Sequence, residues 1–143
     1  MIQVRPIRDD ERAFVDERLP LSRLDQPGGE YLVAWLDREP IGHAHLDWAA
    51  DPPELQDVFV LEAERRRGVA SELTAAAENR VRERGHDRLH LEAGLANPAA
   101  RTLYEKLGYR RTDDPPRRVE GTILIRGEPL EVDETLLRFE KTL

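Results

Sequence analysis

The chain contains no cysteine. A thiol nucleophile, an acyl-cysteine intermediate and thiolate metal ligands are therefore excluded, and no serine motif stands in for the missing nucleophile. No apolar run approaches the roughly twenty residues needed to cross a bilayer, so no membrane association is expected. An excess of basic charge is absent as well. A net charge of −7 and a pI near 5.2 give no footprint for a polyanion, and no nucleic-acid partner is expected. Neither Gly-Lys-Ser/Thr nor Gly-x-Gly-x-x-Gly occurs, which sets aside the two common nucleotide-phosphate loops. Met1 to Arg8 alternates Ile2 and Val4 with Gln3 and Arg5, the pattern of a strand rather than of a signal core, so the expected location is the cytoplasm.

At 143 residues, 36% charged and 39% hydrophobic, the chain fits one domain, residues 1–143, with its own apolar core. Asp9 to Leu19 reads as a short helix, and Pro20 with the Gln26-Pro27-Gly28-Gly29 stretch as loop. Tyr31 to Leu36 and Ile41 to Trp48 form a hairpin, and Leu55 to Leu61 adds a strand that ends on a charged run. From Gly68 the period changes. Val69, Leu73, Ala76, Ala77 and Val81 fall at helical spacing until Gly85. Arg88 to Ala93 alternates as a strand, and Asn97-Pro98 opens a helix that Gly108 closes. Tyr109 to Arg111, Thr122 to Ile125, Leu130 with Val132, and Thr135 to Phe139 read as further strands joined by tight turns, with an extra hairpin around Gly127. The expected class is α/β, a mixed, mostly antiparallel central sheet flanked by helices.

The stretch richest in chemistry runs from Asp57 to Leu73, where a strand enters Arg65-Arg66-Arg67-Gly68-Val69-Ala70 and passes directly into a helix. Free N–H groups at a helix start point one way and the helix dipole adds positive potential, so a pyrophosphate fits there. Gly68 and Ala70 leave room for phosphate near the backbone, and the arginines screen its remaining charge.

These residues resemble the GNAT acetyltransferase family, whose coenzyme A loop reads Gln/Arg-x-x-Gly-x-Gly/Ala at a strand-to-helix junction; Arg65-x-x-Gly68-x-Ala70 matches it. A second block, Leu91-Glu92-Ala93 to Asn97-Pro98 and on to Leu103-Tyr104-Glu105-Lys106-Leu107-Gly108-Tyr109, is similar to the family's strand, Asn-capped helix and Leu-Tyr-x-x-Leu-Gly-Tyr ending. The resemblance implies a GNAT fold that takes acetyl-coenzyme A as acyl donor and transfers the acetyl group directly to a primary amine of a small molecule or peptide. It implies that Val58, Phe59 and Val60 hold the pantetheine arm and thioester, that Arg65, Arg66, Arg67, Gly68, Val69 and Ala70 hold the pyrophosphate, and that Asn97 lines the cofactor's far side. Tyr104 is the expected general acid, also in contact with the cofactor. For the amine's proton, Glu92 is the first candidate, with His45, Glu54 and Asp57 as alternatives. Positioning alone, with no dedicated base, is open too.

His43, His45 and Asp47 alternate with Ala44, Leu46 and Trp48. Two histidines without further ligands point to a polar sheet face rather than a metal site, and no metal is expected; the same residues, with Trp48 or Tyr31, are candidates for the acceptor pocket. A GNAT-like module that binds coenzyme A as a sensor without turnover is the rival reading, against which Tyr104 argues. The tail from Tyr109 to Leu143 is longer than the family pattern, and exposed sheet edges leave a homodimer open.

Overall fold

A computed structural model describes all residues, 1–143. The chain forms two compact units, Met1–Leu89 with Leu143, and His90–Thr142. In the first, a meander of four antiparallel strands follows chain order: β1 (Ile2–Pro6), β2 (Gly29–Leu36), β3 (Glu39–Asp47) and β4 (Glu54–Val60). Between β1 and β2 the expected single helix is a 3₁₀ turn, Asp9–Glu11, leading into α1 (Arg12–Arg18). Glu11 explains the tight start. Its carboxylate accepts the Arg8 N–H at 3.0 Å and holds Arg5 through both oxygens, fixing the chain before the helix begins.

Alternation along β2 sorts its side chains onto two sides. Tyr31, Val33 and Trp35 pack with Val15, Leu19 and Leu21 in one core cluster on the α1 side. On the other side lies α2 (Val69–Glu83), which buries Val69, Leu73, Ala77 and Val81 at the spacing read from the sequence. Gly42 of β3 lets α2 approach, because a Cβ there would stand 2.8 Å from the Phe59 carbonyl and 3.3 Å from Leu73. Leu73 is fully buried. Truncating such a leucine to alanine typically costs about 2–5 kcal/mol.

Strand β5 (Arg88–Gly94) leads from one unit to the other. The second unit holds α3 (Pro98–Lys106), β6 (Arg110–Arg111), β7 (Arg117–Ile125) and β8 (Glu128–Thr142). Leu91, Ala93, Tyr104, Tyr109, Leu137 and Phe139 are its buried apolar residues. Here the structure departs from the several short strands expected of the tail. β7 and β8 form one long antiparallel ribbon, paired from Arg117↔Leu136 to Ile125↔Glu128, and β8 continues until it pairs with β6. Arg126 and Gly127, at φ +55° and +81°, make the two-residue turn with a twist that suits such a ribbon. The class is α/β, mostly antiparallel, with helices against the sheet. No helix is long and apolar enough to cross a membrane.

Candidate active site

The junction between β4 and α2 has the form the sequence predicts. A 3₁₀ turn, Glu62–Glu64, leads to Arg65, and the chain reverses through Arg66 at φ +69° and Gly68 at φ +77° before α2 starts. Gly68 is the N-cap, no side chain caps the helix, and the Glu72 N–H bond to the Gly68 carbonyl is the first of its ladder. The N–H groups of Val69, Ala70 and Ser71 therefore stay available at the positive end of a fifteen-residue helix. A Cβ at Gly68 would meet nothing within 4 Å, so the space above the backbone is open. That arrangement fits a pyrophosphate. The three exposed arginines diverge. Arg65 turns back, its Nε 3.1 Å from the Val60 carbonyl, and Arg67 pairs with Glu64 at 3.2 Å, while Arg66 has no partner in the protein.

Strand β4 is bulged. His43 stands opposite Phe59 and His45 opposite Gln56, so Asp57 and Val58 together face Ala44. Asp57 takes φ +49° in this bulge. Its Oδ2 accepts the Tyr31 hydroxyl at 2.5 Å and the Ser22 N–H at 3.4 Å, and no protein group bonds Oδ1. The Tyr31 oxygen in turn accepts the N–H groups of Ser22 and Arg23 at 3.1 and 2.9 Å. Burial, and after it the bond to Asp57, pushes the Tyr31 phenol pKa well up, so it remains a donor.

His43 and His45 lie on the expected polar sheet face, and that face is buried: they are 0% and 1% exposed. Tyr31 packs edge-on against both rings and Phe59 stacks on His43, so the face is an aromatic core with polar atoms inside. His43 donates from Nδ1 to the Asp57 carbonyl at 2.9 Å, and His45 from Nδ1 to Gln56 Oε1 at 3.1 Å. These bonds place a proton on Nδ1 of both rings. Burial lowers both pKa values. His43 Nε2 is buried without a partner.

In the second unit, Asn97 caps α3 through its side chain, which accepts the Ala100 N–H at 3.1 Å, with Pro98 at the first helical position. Tyr104 is 8% exposed, edge-on to Tyr109, and its hydroxyl makes no hydrogen bond within the protein; burial pushes its pKa up to about 12. Glu92 is held by Arg117 through both oxygens, at 2.6 and 2.9 Å. Nothing in the spacing of residues 92 and 117 announces that pair, which β7 creates. Sequence reasoning likewise misses Arg12 and Arg23, which reach the Tyr31 side from α1 and from the proline- and glycine-bearing loop.

The fold is an α/β protein in which a bulged strand leads into an uncapped, glycine-led helix. The chain belongs to the Acetyltransferase (GNAT) family, whose sequence model matches residues 3–109. It is 34% identical over 92 residues to an uncharacterized N-acetyltransferase, YjgM, of Escherichia coli (strain K12), a match covering 62% of this chain and 55% of that protein. It is 35% identical over 86 residues to a mycothiol acetyltransferase of Amycolatopsis mediterranei (strain U-32), covering 59% of this chain and 27% of that protein. The chain thus matches about half and about a quarter of the length of these relatives. Among solved structures, a GNAT family acetyltransferase from Elizabethkingia anophelis with acetyl-CoA bound superposes with a TM-score of 0.72 at 18% identity, over 99% of this chain and 98% of that one.

Proposed function

We propose that residues 1–143 act as one GNAT domain, an acetyl-CoA-dependent N-acetyltransferase that passes the acetyl group directly to a primary amine. The observation that carries this is the open start of α2, where Gly68 at φ +77° leaves three N–H groups free beside an unpartnered Arg66. The structural relative with acetyl-CoA bound supports the same donor. Bound there, acetyl-CoA supplies an activated thioester, and its loss of the acetyl group produces a thiolate that needs a proton.

Val69, Ala70 and Ser71 present N–H groups to the pyrophosphate, and Arg65 to Arg67 surround it with positive charge. Val58, Phe59 and Val60 offer the backbone and apolar surface for the pantetheine arm. Asn97 serves α3 as its cap and, in this reading, borders the cofactor. Tyr104 donates the proton. A phenol with no internal acceptor, kept protonated by burial, suits that role.

Two carboxylates compete for the amine's proton. Glu92 is the one to which the family resemblance points, and both of its oxygens already hold Arg117. Asp57 is the one the geometry favours, because its Oδ1 has no protein partner and Tyr31 orients Oδ2. The proposal is tested by mixing protein, acetyl-CoA and a panel of amines and following thiol release. Turnover dependent on Tyr104 supports it. Acetyl-CoA binding with no turnover on any amine would indicate the sensor reading instead.

A further inference from the structure

In the first unit a cavity of about 170 Å³ opens on the α1 side of the sheet, lined in part by Asp9, Arg12, Arg23, Glu30, Tyr31 and His45. The two arginines set it apart. Arg5 and Arg80, also half-buried, are each answered by a carboxylate through two bonds, Glu11 for Arg5 and Glu30 for Arg80. Arg12 and Arg23 have no acidic partner. Arg12 Nη2 donates to the Leu24 carbonyl at 2.9 Å and Arg23 Nη1 to Gln26 Oε1 at 2.8 Å, both neutral acceptors. Arg23 Nε is buried and bonds nothing.

Neither of the cavity's own carboxylates bonds these arginines. Glu30 is committed to Arg80 at 2.8 and 3.0 Å, and Asp9 lies exposed. The wall beside the arginines is His45, whose pKa is lowered by burial and further by the charge of Arg23. A half-buried cavity with two unanswered guanidinium groups and an orphan N–H is a site for an anion. Tyr31 connects it to the bulge, because its hydroxyl accepts the backbone N–H of Arg23, N···O 2.9 Å, and donates to Asp57 Oδ2 at 2.5 Å.

We propose that this cavity receives the carboxylate of the acceptor, so that the substrate is an amino-carboxylate, a free amino acid or close derivative, with its carboxylate on Arg12 and Arg23 and its amine at Asp57. The assignment of the amine rests on the acetyltransferase reading above. The small volume and the single tyrosine between the two ends favour a short molecule over a peptide chain.

The test uses matched acceptors, the common L-amino acids beside their amides and their decarboxylated amines, measured two ways. With acetyl-CoA, kcat/KM for each amino acid is expected to exceed that of its amide at least tenfold. That preference falls towards one in Arg12→Gln and Arg23→Gln and returns in part in Arg23→Lys. Without acetyl-CoA, the preferred amino acid is expected to raise the melting temperature of the wild type, and less so that of Arg23→Gln.

Amides or simple amines used as well as the acids would overturn the proposal. So would a preference that survives in both glutamine variants, or a melt raised by inorganic phosphate and by no amino acid at millimolar concentration. Arginine-dependent protection by an amino acid, with no turnover on any acceptor, would support the cavity's ligand while sinking the acetyltransferase reading.

Discussion

The hydroxyl of Tyr31 donates to Oδ2 of Asp57 at 2.5 Å, from strand β2 across to the bulge in β4. Hydrogen bonds to a charged partner contribute about 1.5–3 kcal/mol. Tyr31→Phe is therefore expected to lower unfolding stability by about that amount in urea, and to reduce turnover because Asp57 loses its orienting donor. Unchanged stability would mean that the bond contributes nothing net.

Exchanging each carboxylate for its amide separates the two proton acceptors. Asp57→Asn is expected to reduce kcat about 100-fold, the scale of a lost acid–base group, and Glu92→Gln much less. The opposite order would return the role to Glu92. The stability cost of breaking the Glu92–Arg117 pair should stay small, since Arg117 is 59% exposed.

Tyr104→Phe removes only the hydroxyl from a residue that is already buried. Turnover is expected to fall about 100-fold while folding is retained, because the oxygen makes no bond inside the protein. A variant as fast as the wild type would exclude the tyrosine as proton donor.

The buried histidines predict a pH dependence of stability. His43 and His45 have folded pKa values below the ordinary 6.5, so they are neutral in the native protein while the unfolded chain takes up protons. Stability is then full above about pH 6.5 and falls as pH drops from there towards the folded values, by up to about 1.4 kcal/mol per pH unit per histidine. Glu11, held down to about 2 first by its bond to Arg5, adds a separate loss below about pH 4.5. Urea titrations from pH 7.5 to 5 measure the first window. A flat profile, or one that rises towards acid, would contradict the burial of neutral imidazoles.

The local part of this architecture is legible in the sequence, and the long-range part is not. Asn97-Pro98 announces a cap because the capping bond spans only three residues, and the Gly68 junction is readable because backbone conformation and helix dipole are both local. Tyr31 and Asp57 are 26 residues apart, and Arg12, Arg23 and His45 converge from three separate elements. Strand register, with the packing of α1 and the loop after it, brings such groups together. In the tail the hairpin at Gly127 is legible, but the length of its strands is not. Its short apolar runs are interrupted by charges, as at Glu131 and Asp133, but these lie on one side of the β7–β8 ribbon, with Val132 and Leu130 on the other.

Binding of acetyl-CoA to the wild type and to Gly68→Glu, followed by calorimetry and by thermal melting, tests the central claim most directly. The left-handed turn at Gly68 meets no neighbour, so the added carboxylate would project into the space proposed for the pyrophosphate. Acetyl-CoA is expected to bind and stabilise the wild type, with at least a tenfold loss of affinity in the variant. Failure of acetyl-CoA to bind the wild type, or equal binding by a folded Gly68→Glu protein, would contradict it.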